Sequence, residues 1–185
     1  MRKANKEIND PAVIEGLLNE CQVGRLGTVG QDGYPMIKPL NFAYAEGRIY
    51  FHSALAGEKI DHLDRDDRVC FEVDLPLALV RAVNQPCEAA YLYRSVIIKG
   101  RAHLVTDDAE RGLAFRSLMA KYQPDGGFGD YLPEKLAITG IVRIEIESLT
   151  GKEDLGQGKI HEQLLAALAR KDPLPVILKR GLDEK

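Results

Sequence analysis

The sequence predicts a mainly β protein, a small closed or half-open antiparallel barrel with helices inserted between strands. Three observations carry this. Six segments alternate apolar and polar residues, at 23–30, 34–44, 48–53, 68–74, 91–105 and 138–151. Short turns join several of them, marked by Gln31-Asp32-Gly33 and Ala45-Glu46-Gly47. Helical patterns do not follow every strand, so βαβ alternation and a doubly wound parallel sheet are disfavoured.

A chain of 185 residues is one domain of ordinary size, or a domain with an appendage. With 45% apolar and 29% charged residues it can bury a core. A formal charge of -3 and a pI near 5.8 argue against a nucleic-acid surface built on bulk positive charge, though not against a small basic pocket for one phosphate. Met1, Arg2 and Lys3 precede no apolar run, so no secretory signal is expected, and no stretch is long enough to span a bilayer. Cys21, Cys70 and Cys87 have neither disulfide-framework nor zinc spacing and read as reduced thiols of a cytoplasmic protein.

Taken in order, Asp10-Pro11 predicts a helix start, and Ile14, Leu17, Leu18 and Cys21 form one apolar face that covers the sheet. Two strands flank the Asp-Gly turn, and the second, 34–44, leads through another turn into 48–53. A short helix follows at 57–63, then the strand 68–74. Pro76, Pro86 and the lack of periodicity make 75–88 a loop. A long strand fills 91–105, and Thr106-Asp107-Asp108 starts a helix lined by Phe115, Leu118, Met119 and Tyr122. The last strand spans 138–151, with Val142, Ile144 and Ile146 alternating against charges. The boundary falls after 151: a barrel domain at 1–151 and a helical tail at 152–185, packing on the barrel or on a partner. In the tail, Ile160, Leu164, Leu165 and Leu168 share a helical face that ends at Asp172-Pro173, and 174–185 packs on a neighbour or frays.

The chemistry concentrates in 49-IYFHSALAGEKIDHL-63. A strand ends on His52 and Ser53, and Gly57-Glu58-Lys59 opens a helix. Free N–H groups at a helix start, a hydroxyl and an ammonium together suit a phosphate. The same residues equally suit a plain corner, with Ser53 as a cap and Lys59 in solvent. Upstream, Pro35 and Pro39 flank Lys38 and mark an edge or open seam, where free backbone near Lys38 and Leu40 suits the rim of a flat heterocycle. A protected edge strand is the plain alternative. By the hairpin between them, 34–44 should lie beside 48–53. His62, His103 and His161 read as surface or satisfied side chains, and no pair has metal-ligand spacing.

In order along the chain, GRLGT, DGYP, PLNF.Y, IYFHSA..G.KID.L, VCFEVD and YRSVIIKGRA resemble the FMN-binding split-barrel family related to pyridoxamine 5'-phosphate oxidase, in its nitroimidazole-resistance-type branch. The resemblance covers roughly residues 10 to 150, one ordinary domain. It implies a six-stranded antiparallel split barrel that binds FMN at a homodimer interface, with no nucleic-acid or membrane partner. Ser53 and Lys59 match the phosphate site, with Gly57 allowing close approach. Lys38, Pro39 and Leu40 match the strand whose backbone faces the isoalloxazine, and Lys38 matches a cation that tunes the ring. His52 matches the histidine near the reactive edge and is the catalytic candidate. Ser95 and Lys99 match a strand near the cofactor, reached from the second subunit, while Arg25 is a phosphate, interface or ordinary strand charge. The family also implies a reductase that takes electrons from NAD(P)H to a small electrophile such as a nitro-aromatic. Met36-Ile37-Lys38 replaces the basic pattern of the oxidase proper, so vitamin B6 oxidation is not expected. Three alternatives remain: a haem-binding split barrel with His52 as axial ligand, a non-catalytic flavin-binding module, and a structural dimer.

Overall fold

Proline and phenylalanine decide how the sheet of this protein rolls up. In the computed structural model, which describes residues 4–180, β2 (Gly24–Val29) and β3 (Pro35–Leu40) form a hairpin through Gly33, whose φ of 83° only glycine adopts readily. The expectations for 1–3 and 181–185 lie outside the described residues. The predicted strand 34–44 breaks after Leu40. At the break Phe42 turns fully inward, edge-on to Phe71 with ring centroids 5.0 Å apart. The Tyr122 hydroxyl accepts from the Phe42 N–H at 2.9 Å and reaches the Gln22 carbonyl at 2.7 Å, which satisfies backbone that neither strand pairs. Beyond the break, β4 (Ala43–Ala45) turns through Glu46 and Gly47, both at positive φ, into β5 (Arg48–Ala54).

The remaining elements are α2 (Glu58–Arg65), β6 (Arg68–Arg81), β7 (Ala90–Leu104), α3 (Asp108–Tyr122), α4 (Pro133–Ile138) and β8 (Thr139–Asp154). Ahead of the barrel stand β1 (Glu7–Ile8) and α1 (Pro11–Glu20), and after it come α5 (Gly158–Ala169) and β9 (Val176–Lys179). The sheet order is β3-β2-β6-β7-β8-β5-β4, antiparallel throughout. Since β3 and β4 are successive pieces of one run of chain, the two ends of the sheet meet and the seam lies along β3. Its core joins Leu26, Ile49, Phe51, Phe71, Val96, Ile98 and Ile144 with α1 and α2.

Three expectations are corrected and a fourth, the packing of 174–185, is made specific. The sheet has nine strands, because 34–44 divides and β1 and β9 join it. The loop at 75–88 is strand as far as Arg81, since a register shift between Pro76 and Ala78 absorbs the proline. The strand 34–44 does not lie wholly beside β5: only Ala43–Ala45 pairs there, and Pro35–Leu40 pairs with β2. Within 174–185, residues Val176–Lys179 pair in parallel with β6. Helix α5 packs Ile160 and Leu164 on Leu77 and Leu92 of the lengthened β6 and β7.

Two glycines test the packing in opposite directions. A Cβ on Gly100, at the register shift between β7 and β8, would stand 2.1 Å from the Glu145 carbonyl oxygen, which cannot move freely. A Cβ on Gly16 in α1 would meet nothing within 4 Å. Gly100→Ala should therefore lower the unfolding free energy by about 1–3 kcal/mol or more. Gly16→Ala should raise it by about 0.4–1 kcal/mol, both read by urea denaturation.

Candidate functional site

The corner forms because β5 alternates to its end and a glycine then lets the chain reverse. Ile49, Phe51 and Ser53 face the barrel interior and are buried, Tyr50 is buried beneath α3 on the opposite face, and His52 on that face is exposed. Residues 54–57 are exposed. Gly57 has φ 115° and ψ 170°, a backbone state that side chains rarely adopt, with open space where a Cβ would sit. The first helical bonds of α2 run from Ile60 and Asp61 N–H to the Gly57 carbonyl at 2.8 and 3.1 Å. The N–H groups of Glu58 and Lys59 precede them, and no side chain caps the helix. Ser53 is therefore not the cap.

Helix α2 is clamped to the barrel. Ile60 and Leu63 enter the core. The buried His62 shares a hydrogen bond of 2.9 Å between its Nδ1 and Thr28 Oγ1, and Arg65 donates to the carbonyls of Val29 and Gly30, the latter at 2.6 Å. These contacts hold Lys59 half-buried, its Nζ 4.9 Å from the centroid of the Phe51 ring. Among the described residues no carboxylate pairs with it. Burial pushes its pKa below the ordinary lysine value, and the Lys38 charge adds to the effect. Lys38 itself is bound to Glu58, whose pKa it lowers by that hydrogen bond and by its charge.

The structure thus brings Ser53, Gly57 and Lys59 to one corner and joins Lys38 to it through Glu58. Pro39 is exposed on β3 and Leu40 packs on the core. The free backbone of this edge needs a revision. Prolines fit the ladder only with their nitrogen turned away from β2, and Ile37 shares their alternation, so Ile37, 67% exposed, carries the outward N–H rather than Lys38 or Leu40. Ser95 and Lys99 lie on the outer face of β7 beside the exposed Ile97. Leu104 of that strand is level with Phe51 across β8, and Lys99 and Ser95 stand five and nine residues away, roughly 17 and 30 Å. They do not reach this chain's own corner. Arg25 is engaged with Glu72 at 3.2 Å and with Asp74. Sequence reasoning missed Thr28 and Arg65 as parts of the corner and gave no role in it to Phe51 or Glu58. The amphipathic pattern of α2 turns Ile60 and Leu63 inward but does not place His62 on their side, so its burial against Thr28 is a tertiary contact with no local signal.

Comparison with known proteins agrees with this architecture. A sequence profile described as pyridoxamine 5'-phosphate oxidase matches residues 10–153. No curated protein sequence matches the chain. Among solved structures, a "putative 5-nitroimidazole antibiotic resistance protein" of Bacteroides thetaiotaomicron is 26% identical, with a TM-score of 0.70 over 80% of this chain and 86% of that one. An FAD-binding protein of Mesorhizobium loti is also 26% identical, with a TM-score of 0.55 over 78% of this chain and 95% of that one. The FAD and heme binding protein of Mycobacterium smegmatis, 20% identical, shares the fold with a TM-score of 0.74 over 88% and 80% of the two chains. With the profile spanning most of its length and the barrel following the same plan, the chain belongs to the pyridoxamine 5'-phosphate oxidase family.

Proposed function

We propose that this protein is an FMN-binding flavoprotein that acts as a homodimer and reduces a small electrophile, such as a nitro-aromatic, with electrons from NAD(P)H. The observation that carries the reading is Lys59, a half-buried ammonium with no carboxylate partner among the described residues. Such a cation favours an incoming anion, and the helix-start N–H groups beside it are donors without acceptors. Ser53 adds a buried hydroxyl, and Gly57 leaves the approach open. This donor set fits a phosphate monoester. Nitroimidazole resistance and FAD binding are attributes given to the structural relatives at 26% identity and support the flavin reading by likeness only.

In this reading Ser53, Lys59 and the first turn of α2 hold the phosphate, and the edge of β3 around Lys38, Pro39 and Leu40, with Ile37 as donor, meets the ring. Lys38 keeps a positive charge near that edge while Glu58 fixes its position. FMN, when bound, supplies the electron transfer. His52 is exposed on the opposite strand face from Ser53, suited to hydrogen-bond or protonate a substrate at Nε2 or Nδ1 from the solvent side. The outer face of β7, with Ile97 43% exposed between Ser95 and Lys99, suits a second copy that brings those residues to its partner's flavin.

Four outcomes test the proposal. The purified protein should show flavin absorption bands, or gain them on adding FMN; a Soret band would favour haem, and neither would leave a structural dimer. Lys59→Met should weaken FMN binding by about 1.5–3 kcal/mol in fluorescence titration while raising the thermal stability of the flavin-free protein, because it removes an uncompensated charge. The sign of the pH effect follows from the lowered Lys59 value. The unfolded chain binds the Lys59 proton more tightly, so stability rises with pH between the lowered and the ordinary lysine value. Phosphate binding needs the ammonium, so FMN affinity should fall across that window. His52→Ala should leave FMN affinity intact and slow NAD(P)H-dependent turnover of a nitro-aromatic; unchanged turnover would remove His52 from the chemistry.

A further inference from the structure

At the end of β7 and β8 opposite the α2 corner, the added tail encloses space. A cavity of about 470 Å³ lies between the first residues of β7, the last of β8, the start of α5 and Arg180, which follows β9. Leu92, Val80 and Ile160 give it an apolar patch within a mostly polar lining. Its charges do not cancel. Glu153 is paired with Arg94 at 2.9 Å, and Asp154 is paired with Lys6. Arg180 has no carboxylate partner among the described residues, and its Nε is buried without a hydrogen bond. His161 also lines the space. Its Nδ1 stands 3.1 Å from the Leu155 carbonyl, which can only accept, so Nδ1 carries the proton and Nε2 is left for another partner.

We infer that this cavity is a second small-molecule site, separate from the flavin corner, for a monocarboxylic acid with a short apolar body. With Nε buried, the planar guanidinium of Arg180 offers a carboxylate the N–H donors of its two terminal nitrogens. Both lining carboxylates are already neutralised, so an amine finds no free acid there. The patch of Leu92, Val80 and Ile160 accommodates a short apolar body, and the volume lies in the range of small-ligand pockets. Lys6, Asp154, Ile160, His161 and Arg180 lie outside the residues matched by the family profile, so this chain's extensions complete a site that begins on the matched barrel at Val80, Leu92 and Glu153. An occupant would touch the barrel and tail together and hold α5 and β9 against β7 and β8.

Calorimetric titration of the full-length protein with hexanoate, hexylamine and inorganic phosphate tests the site, with the His161 ring protons followed by NMR. Hexanoate should bind saturably in the millimolar range or tighter and shift the His161 signals, and hexylamine should not. Arg180→Gln should weaken hexanoate binding about tenfold or more, a loss expected of a charged hydrogen-bond pair, with Arg180→Lys intermediate. Both variants should keep the wild-type circular dichroism and FMN affinity. Absence of saturable hexanoate binding, equal binding by hexylamine, binding of phosphate alone, or an undiminished affinity in a folded Arg180→Gln protein would each overturn the inference.

Discussion

A cation withdrawn from water without a counterion is costly, and Lys59 is held in that state by the whole barrel end. Its half-buried ammonium projects from a helix fixed by Ile60 and Leu63 in the core, by His62 on Thr28 and by Arg65 on the carbonyls at the end of β2. Phe51, one alternation step before Ser53, gives the lysine an aromatic face in place of a carboxylate. The nearby acid Glu58 is turned to Lys38 instead. In the proposed function, the arrangement trades stability of the protein for an anion receptor at this corner, a cost that functional sites commonly carry.

The clamp depends in turn on how the sheet closes. Phe42 is the hinge: it must leave the strand alternation to enter the core against Phe71, and Tyr122 from α3 satisfies the backbone it exposes. The break frees the edge of β3 as a seam close to the start of α2, which is why Lys38 can reach Glu58. A continuous strand from 34 to 44 would have carried Lys38 elsewhere.

Much of this was legible in the sequence, and the parts that were not have physical reasons. The corner 49–63 could be read because β alternation, a glycine and a helix start follow one another within fifteen residues. The helix at 158–169 was likewise visible from Ile160 and Leu164 on one face. The break at Phe42 was not, since an aromatic residue within an alternating run reads as strand, and only the tertiary contact with Phe71 shows otherwise. Pro76 hid the continuation of β6 because a register shift that tolerates proline leaves no local mark. The parallel pairing of β9 with β6 is non-local and has no turn to announce it. The ion pairs that leave Lys59 and Arg180 without acids among the described residues are set by three-dimensional neighbours, so sequence identified the lysine as a candidate and could not say that it stood unpaired there.

The most direct test of the central claim reads the phosphorus itself. The ³¹P resonance of FMN bound to the wild-type protein should stay at the dianion position across the pH range in which a free phosphate monoester, with a second pKa of about 6, takes up a proton. A bound flavin whose phosphorus titrates as it does in water would show the phosphate in solvent, away from Lys59 and Ser53, and would contradict the account.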